Sequence, residues 1–312
     1  MVGESQIVIQ IAILLFVVVV IPLLFIWEIA FKKHASITSW ILSVVVVILA
    51  MVLIWATGPW HIVSIYLRNI FPLLYLVACF VGYQRIIKPL HSKNRSAQKT
   101  KIVLPIGLIV VFVVLNVIVF RGYYTYKDAV DLASPLRNNN YYIVHGGASP
   151  LLNHHLTVKP QNYALDIVGI SRLGTRTVSL MGGSALEDYA IYGDYVYSPC
   201  TGEIAVVVEE FDDLTPPNAD TKNIAGNHIL INCNGVEVIL AHLKKGSIRV
   251  KTGDFVTPDD ILAQVGNSGN TSEPHLHIHV ESGGEPNTIL NGAAVPFTIN
   301  SRFLVRGSNL KD

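Results

Sequence analysis

The chain has 312 residues, of which 51% are hydrophobic and 14% charged. A mean hydropathy of +0.46 excludes a protein that is soluble throughout its length. The formal net charge of +1 hides a split: residues 1–120 carry nine Lys/Arg against two Asp/Glu, and residues 121–312 carry fourteen against twenty. Neither half has the clustered base of a nucleic-acid-binding face, so no nucleic-acid partner is expected.

The first half reads as a transmembrane domain. Apolar runs at 7–31, 38–56 and 102–120 are each long enough to span a hydrocarbon core. The run at 62–81 is interrupted by Arg68 and Pro72. An interfacial segment competes there with a span; a span is preferred, with Arg68 near an end where it can snorkel. A cleaved leader competes for the first run, but no positive segment precedes it and further spans follow. Trp27, Trp40, Trp55 and Trp60 fall near span ends, where interface anchors belong.

Loop charge sets the orientation. Lys32, Lys33 and His34 separate the first two runs, and Arg85, Lys88, Lys93, Arg95, Lys99 and Lys101 separate the last two. The positive-inside rule puts both loops in the cytoplasm. Four spans then leave the N-terminus and everything after residue 120 outside. Glu28 and Arg68 are too few to line a transport path, so an anchor is expected rather than a transporter.

Residues 121–140, with Tyr123, Tyr124 and Tyr126, read as an interfacial linker or short helix. Residues 141–312 read as an extracytoplasmic β-rich domain. Strands are predicted at 141–144, 190–197, 202–211, 228–233, 236–242 and 261–265, short runs separated by turns. They imply an antiparallel sandwich or half-open barrel. The acidic, Pro-broken 209–220 reads as a solvated loop, with a groove wall or calcium loop as the functional alternative. Cys79 reads as a small core residue. Cys200 and Cys233 can bridge if this half lies outside the cytosol, although nothing in their spacing demands it.

The densest chemistry lies at 264–280. A Gly/Asn/Ser turn leads into a short strand carrying His275, His277 and His279. Alternation along a strand points all three imidazoles the same way. An exposed histidine-rich edge strand is the plain alternative.

Val265-Gly266-Asn267-Ser268-Gly269-Asn270-Thr271-Ser272, followed by Pro274-His275-Leu276-His277, resembles the signature of lysostaphin-type zinc metallopeptidases (metallopeptidase family twenty-three). Members of that family mostly cut bacterial cell-wall peptides. Ala241-His242-Leu243 resembles its second motif. The resemblance implies a barrel-sandwich fold, Zn²⁺ as cofactor, and a peptidoglycan peptide as substrate. Residues 198–205 and 250–256 also resemble that fold, which biotinyl and lipoyl carriers share; no lysine-tipped hairpin of a carrier is present.

In the resembled family zinc is held by a His and an Asp from H-x-x-x-D and by the second His of H-x-H. His277 matches the last role and Asp166 the carboxylate. Four residues before Asp166 the chain has Asn162 instead of the expected His. One reading lets His155, in preference to His154, complete the set. The other takes the site as decayed. His242 and His275 match the family's catalytic positions. His279 reads as a rim residue, His145 and His228 as structural, and Gly266 and Gly269 as a groove floor approached by an extended peptide.

The expectation is a membrane-anchored zinc metalloendopeptidase acting on peptidoglycan, in the cell membrane with its C-terminal domain outside. The alternative is an inactive peptidase-like module that binds wall material or regulates another wall hydrolase. Peptidoglycan peptide and the lipid bilayer are the partners implied; the sequence names no protein partner.

Overall fold

The structure, a computed structural model, describes residues 12–87, 102–125, 128–179 and 183–310. It divides into two compact units, one of Gly3–Val119 and one containing Phe120–Asp312. In the first, the helices Ala12–Phe31, Ile37–Thr57, Leu67–Ile87 and Val103–Arg121 are long and apolar enough to cross a membrane. Residues 7–11 of the first predicted run lie outside the described residues. So do Lys88, Lys93, Arg95, Lys99 and Lys101 of the second basic loop, and Tyr126.

The third helix begins later than its hydropathy suggested. Trp60–Val63 forms a separate helical turn, and the long helix starts at Leu67. Arg68 therefore stands at a helix start, but it is buried rather than snorkelling. Its Nε donates to Trp55 O at 3.0 Å and its guanidinium lies 3.9 Å over the Trp55 ring. The physical reason is the end of the second helix, where unpaired carbonyls attract a cation. Trp40 and Trp60 are also buried, their indoles donating to Ile29 O and Trp55 O, whereas Trp27 is exposed.

The second unit is β-rich. Its strands are β1 (Val130–Leu132), β2 (Tyr141–His145), β3 (Leu165–Gly169), β4 (Tyr195–Tyr197), β5 (Gly202–Val208), β6 (His228–Cys233) and β7 (Val236–Ala241). They continue with β8 (Phe255–Val256), β9 (Ile261–Gln264), β10 (Leu276–Ser282), β11 (Ala293–Ala294), β12 (Phe297–Ile299) and β13 (Asn309–Leu310). The main sheet runs β13-β2-β3-β10-β7-β6-β5-β8, with β11 on β10; β1-β12 and β4-β9 form two small sheets. The predicted layout of apolar helices followed by a β-rich domain holds, but the described strands close no barrel.

Three stretches differ from the sequence reading by more than a residue. Residues 190–194 turn around Gly193 (φ +85°), so only Tyr195–Tyr197 is strand. The 202–211 run stops at Val208. Val130–Leu132, inside the stretch read as linker, pairs in parallel with β12, and Leu132 is buried in the core. The central strands are rich in β-branched residues; Ile143, Ile167, Ile204, Ile229, Ile231 and Ile278 are fully buried. Cys200 and Cys233 form a disulfide, and Cys79 is free.

What matters for chemistry is the register of four neighbouring strands. His145 on β2 pairs with Asp166 on β3, Asp166 with His277 on β10, and His277 with Ala241 on β7. One row across the sheet therefore carries His145, Asp166 and His277, with His242 directly beyond it.

Candidate metal centre

Asp166 is the hub of this row. It is buried, and its Oδ2 lies 2.9 Å from His155 Nε2 and its Oδ1 2.8 Å from His277 Nδ1. One ligand atom from each of the three falls within 4.8 Å of the others. The structure thus brings together His155, Asp166 and His277. Asn162 takes no part: with its amide turned to donate, it reaches Val158 O at 2.9 Å and Lys159 O at 3.0 Å.

His155 arrives by a different route from the H-x-x-x-D pattern. Asn153 is fully buried, and its Oδ1 accepts from His155 N at 3.1 Å, capping the short helical turn His154–Thr157. Its Nδ2 donates to Gly147 O and Ala164 O, tying that turn to the ends of β2 and β3. Asn153 escaped the sequence reading, although Asn before a short turn is a recognisable cap.

Behind these three side chains stand further partners. His155 Nδ1 faces Gln161 Oε1 at 3.1 Å. His277 Nε2 faces His279 Nδ1 at 2.9 Å, and His279 Nε2 faces Glu281 Oε1 at 2.8 Å. His279 is 2% exposed, so it is no exposed rim residue: it backs His277 in the wall of the site. Glu281 was also missed, although residues 277, 279 and 281 share a face by simple alternation.

Proton positions along this line can be deduced. Glu281 accepts backbone N–H groups from Leu290, Asn291 and Gly292 as well as the His279 imidazole. Burial would raise its pKa, but the His279 bond and these N–H groups hold it below the ordinary value. It is therefore an anion and an acceptor only. A neutral His279 must then donate from Nε2, leaving Nδ1 to accept from His277 Nε2–H. That leaves a lone pair on His277 Nδ1, pointing at a carboxylate oxygen of Asp166. A donating Nδ1 on His155 likewise turns its Nε2 lone pair toward the other oxygen.

Burial pushes His277 well below its ordinary pKa, so an extra proton is a poor solution there. Burial also lowers His279, with Glu281 opposing. For Asp166, burial would raise the pKa, but the neighbouring His155 and His275 hold it well below the carboxylate range. At His155 burial acts downward, and Asp166 more than offsets it, so a positive charge is favoured at that point. Converging lone pairs around one carboxylate fit a divalent cation, and the His₂Asp donor set suits zinc.

A second triplet, His145, His154 and Asp166, also comes together. Its rings stack edge-on at 4.0 Å, and His145 Nδ1 is buried without a hydrogen-bond partner among the described residues. This triplet draws on the same single carboxylate. Arg306 adds to the forces lowering the pKa of both histidines, after burial, the largest cause in each. The two sets are therefore alternatives for one cation, and the first has the outer partners. His145 belongs to the site's margin rather than to a remote structural role. His228 bonds Gly226 O at 2.7 Å.

His242 and His275 occupy the opposite flank, with ring centroids 4.7 Å apart. His242 follows β7 with φ +62°, an uncommon conformation for a non-glycine residue. Its Nδ1 faces Ser268 O at 2.9 Å, and burial pushes its pKa down to about 3. His275 Nδ1 faces Glu273 O at 2.8 Å, and its Nε2 is 3.6 Å from Asp166 Oδ1. An Arg176–Glu273 ion pair, also missed from sequence, anchors the segment before His275.

The glycine turn is not an open groove floor. A Cβ on Gly266 would meet Asp213 Oδ1 and Lys244 N, and one on Gly269 (φ +88°) would meet Gly226 N. The close approach is by the chain's own loops. Asp213, in the acidic 209–220 stretch, accepts from Asn267 N and Lys245 N, so that stretch is docked on the turn. A cavity of ≈ 270 Å³ opens over the site, lined by His155, His242, His277 and His279 among others, with Ile224 and Leu290 in its apolar wall.

Residues 186–288 match the sequence model of Peptidase family M23. The match lies within the β-rich unit; the matched segment includes His242, His275 and His277 and begins after Asp166. No curated protein matches the chain. Among solved structures, the chain is similar to a zinc-containing peptidase from Vibrio cholerae, at 30% identity over 30% of this chain and 25% of that one, with a TM-score of 0.24. It is also similar to the catalytic domain of the antimicrobial peptidase lysostaphin from Staphylococcus simulans, at 20% identity over 33% of this chain and 74% of that one, TM-score 0.24. A third likeness is to Csd3 from Helicobacter pylori, at 21% identity over 40% of this chain and 27% of that one, TM-score 0.24. The chain spans only a quarter or so of the Vibrio cholerae and Helicobacter pylori proteins, at 25% and 27%.

Proposed function

We propose that this chain is a membrane-anchored zinc metalloendopeptidase that hydrolyses peptide bonds in bacterial cell-wall peptidoglycan on the outer side of the cell membrane. The observation that carries the reading is the convergence of His155 Nε2, the Asp166 carboxylate and His277 Nδ1, with His242 and His275 alongside. The match of residues 186–288 to Peptidase family M23 supports the substrate class. Loop charge supports the outer location, as does the Cys200–Cys233 bond, since disulfides persist in oxidising compartments.

A bound zinc supplies Lewis-acid polarisation of the scissile carbonyl and acidifies water toward pKa ~7. His155, Asp166 and His277 would hold it. With Nδ1 donating to Ser268 O, His242 keeps a free Nε2 lone pair that can accept a proton from the attacking water. Burial keeps it neutral at pH 7, so that lone pair is free. His275, with Nδ1 committed to Glu273 O, likewise presents Nε2 to the reacting centre, where, once it has taken up a proton, it can steady charge on the carbonyl oxygen or pass that proton to the leaving amine. The apolar wall limits water access beside the imidazoles.

The test uses the full-length chain in nanodiscs with cell-wall peptides as substrate. His275→Ala is expected to lower kcat by about 10²–10⁴-fold with zinc retained, and His277→Ala to lose both zinc and activity. Undiminished cleavage by His277→Ala would remove the assignment. Zinc binding without any cleavage by the wild type would favour a wall-binding or regulatory module.

A further inference from the structure

Glu281 sits at a junction. Its Oε1 accepts from His279 Nε2 and from Leu290 N, both at 2.8 Å. Its Oε2 accepts from Gly292 N at 2.7 Å and from Asn291 N at 3.2 Å. Three successive backbone N–H groups thus close on one fully buried carboxylate, a nest of the kind that holds anions. Leu290 adopts φ +64°, which costs a branched side chain and persists only where its surroundings enforce it. A Cβ on Gly292 would come within 2.9 Å of Glu281 Oε2, so the loop's close approach requires glycine there. Leu290 and its neighbour Ile289 line the cavity over the metal centre.

We propose that His279 and Glu281 are positioning residues that lock the His277 tautomer with its Nδ1 lone pair toward the cation, and that the same Glu281 carboxylate clamps residues 290–292 as the cleft wall. Ligand orientation and cleft shape then depend on one buried anion. His279 acts through His277, whose Nε2 it faces at 2.9 Å. Glu281 ties the direction of the ligand to the wall that a peptide must pass. The inference rests on the metal-centre reading above and adds two residues and a loop to it.

Zinc affinity, measured on the full-length chain in nanodiscs by competition with a chromophoric chelator, separates the possibilities. His279→Ala and Glu281→Gln are each expected to weaken zinc binding about 10–100-fold, the usual effect of removing an outer partner. Amide hydrogen exchange at 290–292 is expected to accelerate in Glu281→Gln, whose amide cannot accept all of these bonds, and to stay at wild-type protection in His279→Ala. Should His279→Ala not fold, His279→Gln, closer in volume, replaces it. Wild-type zinc affinity in both variants overturns the inference and leaves the metal centre standing. Faster exchange in Glu281→Gln with unchanged affinity reduces Glu281 to a loop clamp and also overturns it. A folded wild-type chain that binds no zinc overturns the metal centre itself, and the inference falls with it.

Discussion

At the scale of single residues, the site turns on which nitrogen replaces the one that Asn162 lacks. Asn162 spends its amide on Val158 and Lys159 carbonyls, so its side chain is already committed to the turn. His155 is held by the Asn153 cap and by Gln161 with Nε2 toward Asp166. His155→Ala is therefore expected to lose zinc. Adding Asn162→His to that variant should fail to restore it, because the new imidazole would have to unmake the turn to reach Asp166. Zinc retention by dialysed protein checks this, and full recovery in the double variant would contradict it. His277 was legible in the sequence because motif and alternation agree on it. His155 stood there only as one of two neighbours, since the choice depends on a cap and on cross-strand pairing that no local pattern records. Glycine spacing showed that something comes close to Gly266 and Gly269; that the visitor is Asp213 and Gly226 required the folded chain.

At the scale of elements, the row His145–Asp166–His277 exists because β2 and β10 flank β3, and a register shift in β2 between Ile143 and His145 brings His145 opposite Asp166. A one-residue slip would turn every side chain of a strand to the other face. The β1–β12 pair at the start of the unit is fastened by Asp131, which accepts from Thr298 Oγ1, Ser301 N and Ser301 Oγ. These bonds, Thr298 first and then the Ser301 backbone, lower the Asp131 pKa below its ordinary value of 3.8. The stabilisation is thus fully present above the unfolded value and fades as pH falls through the lower folded one. Asp131→Asn should be less stable than wild type at neutral pH and should show a smaller further loss on acidification. Melting of the β signal in circular dichroism across that range checks it; parallel curves for both proteins would contradict it. Strand existence was mostly readable from β-branched runs. The 190–194 turns and the capture of 130–132 by β12 were not, since one depends on a left-handed glycine and the other on a partner at the far end of the chain.

At the scale of the whole molecule, two units divide the work by composition: one apolar and basic at its loops, the other acidic, disulfide-bonded and histidine-rich at one sheet row. Hydropathy alone made the four helices legible. It did not show Arg68 turned onto Trp55, because a snorkelling arginine and one at a helix C-terminus look alike in sequence. The central claim concerns a single point in the second unit, where the lone pairs of His155 and His277 meet the Asp166 carboxylate. Zinc content of the full-length purified chain, measured by elemental mass spectrometry alongside Asp166→Ala, tests it most directly. One zinc per wild-type chain and none in the variant is the predicted result; a folded wild type without zinc, or a variant that keeps its full complement, would contradict it.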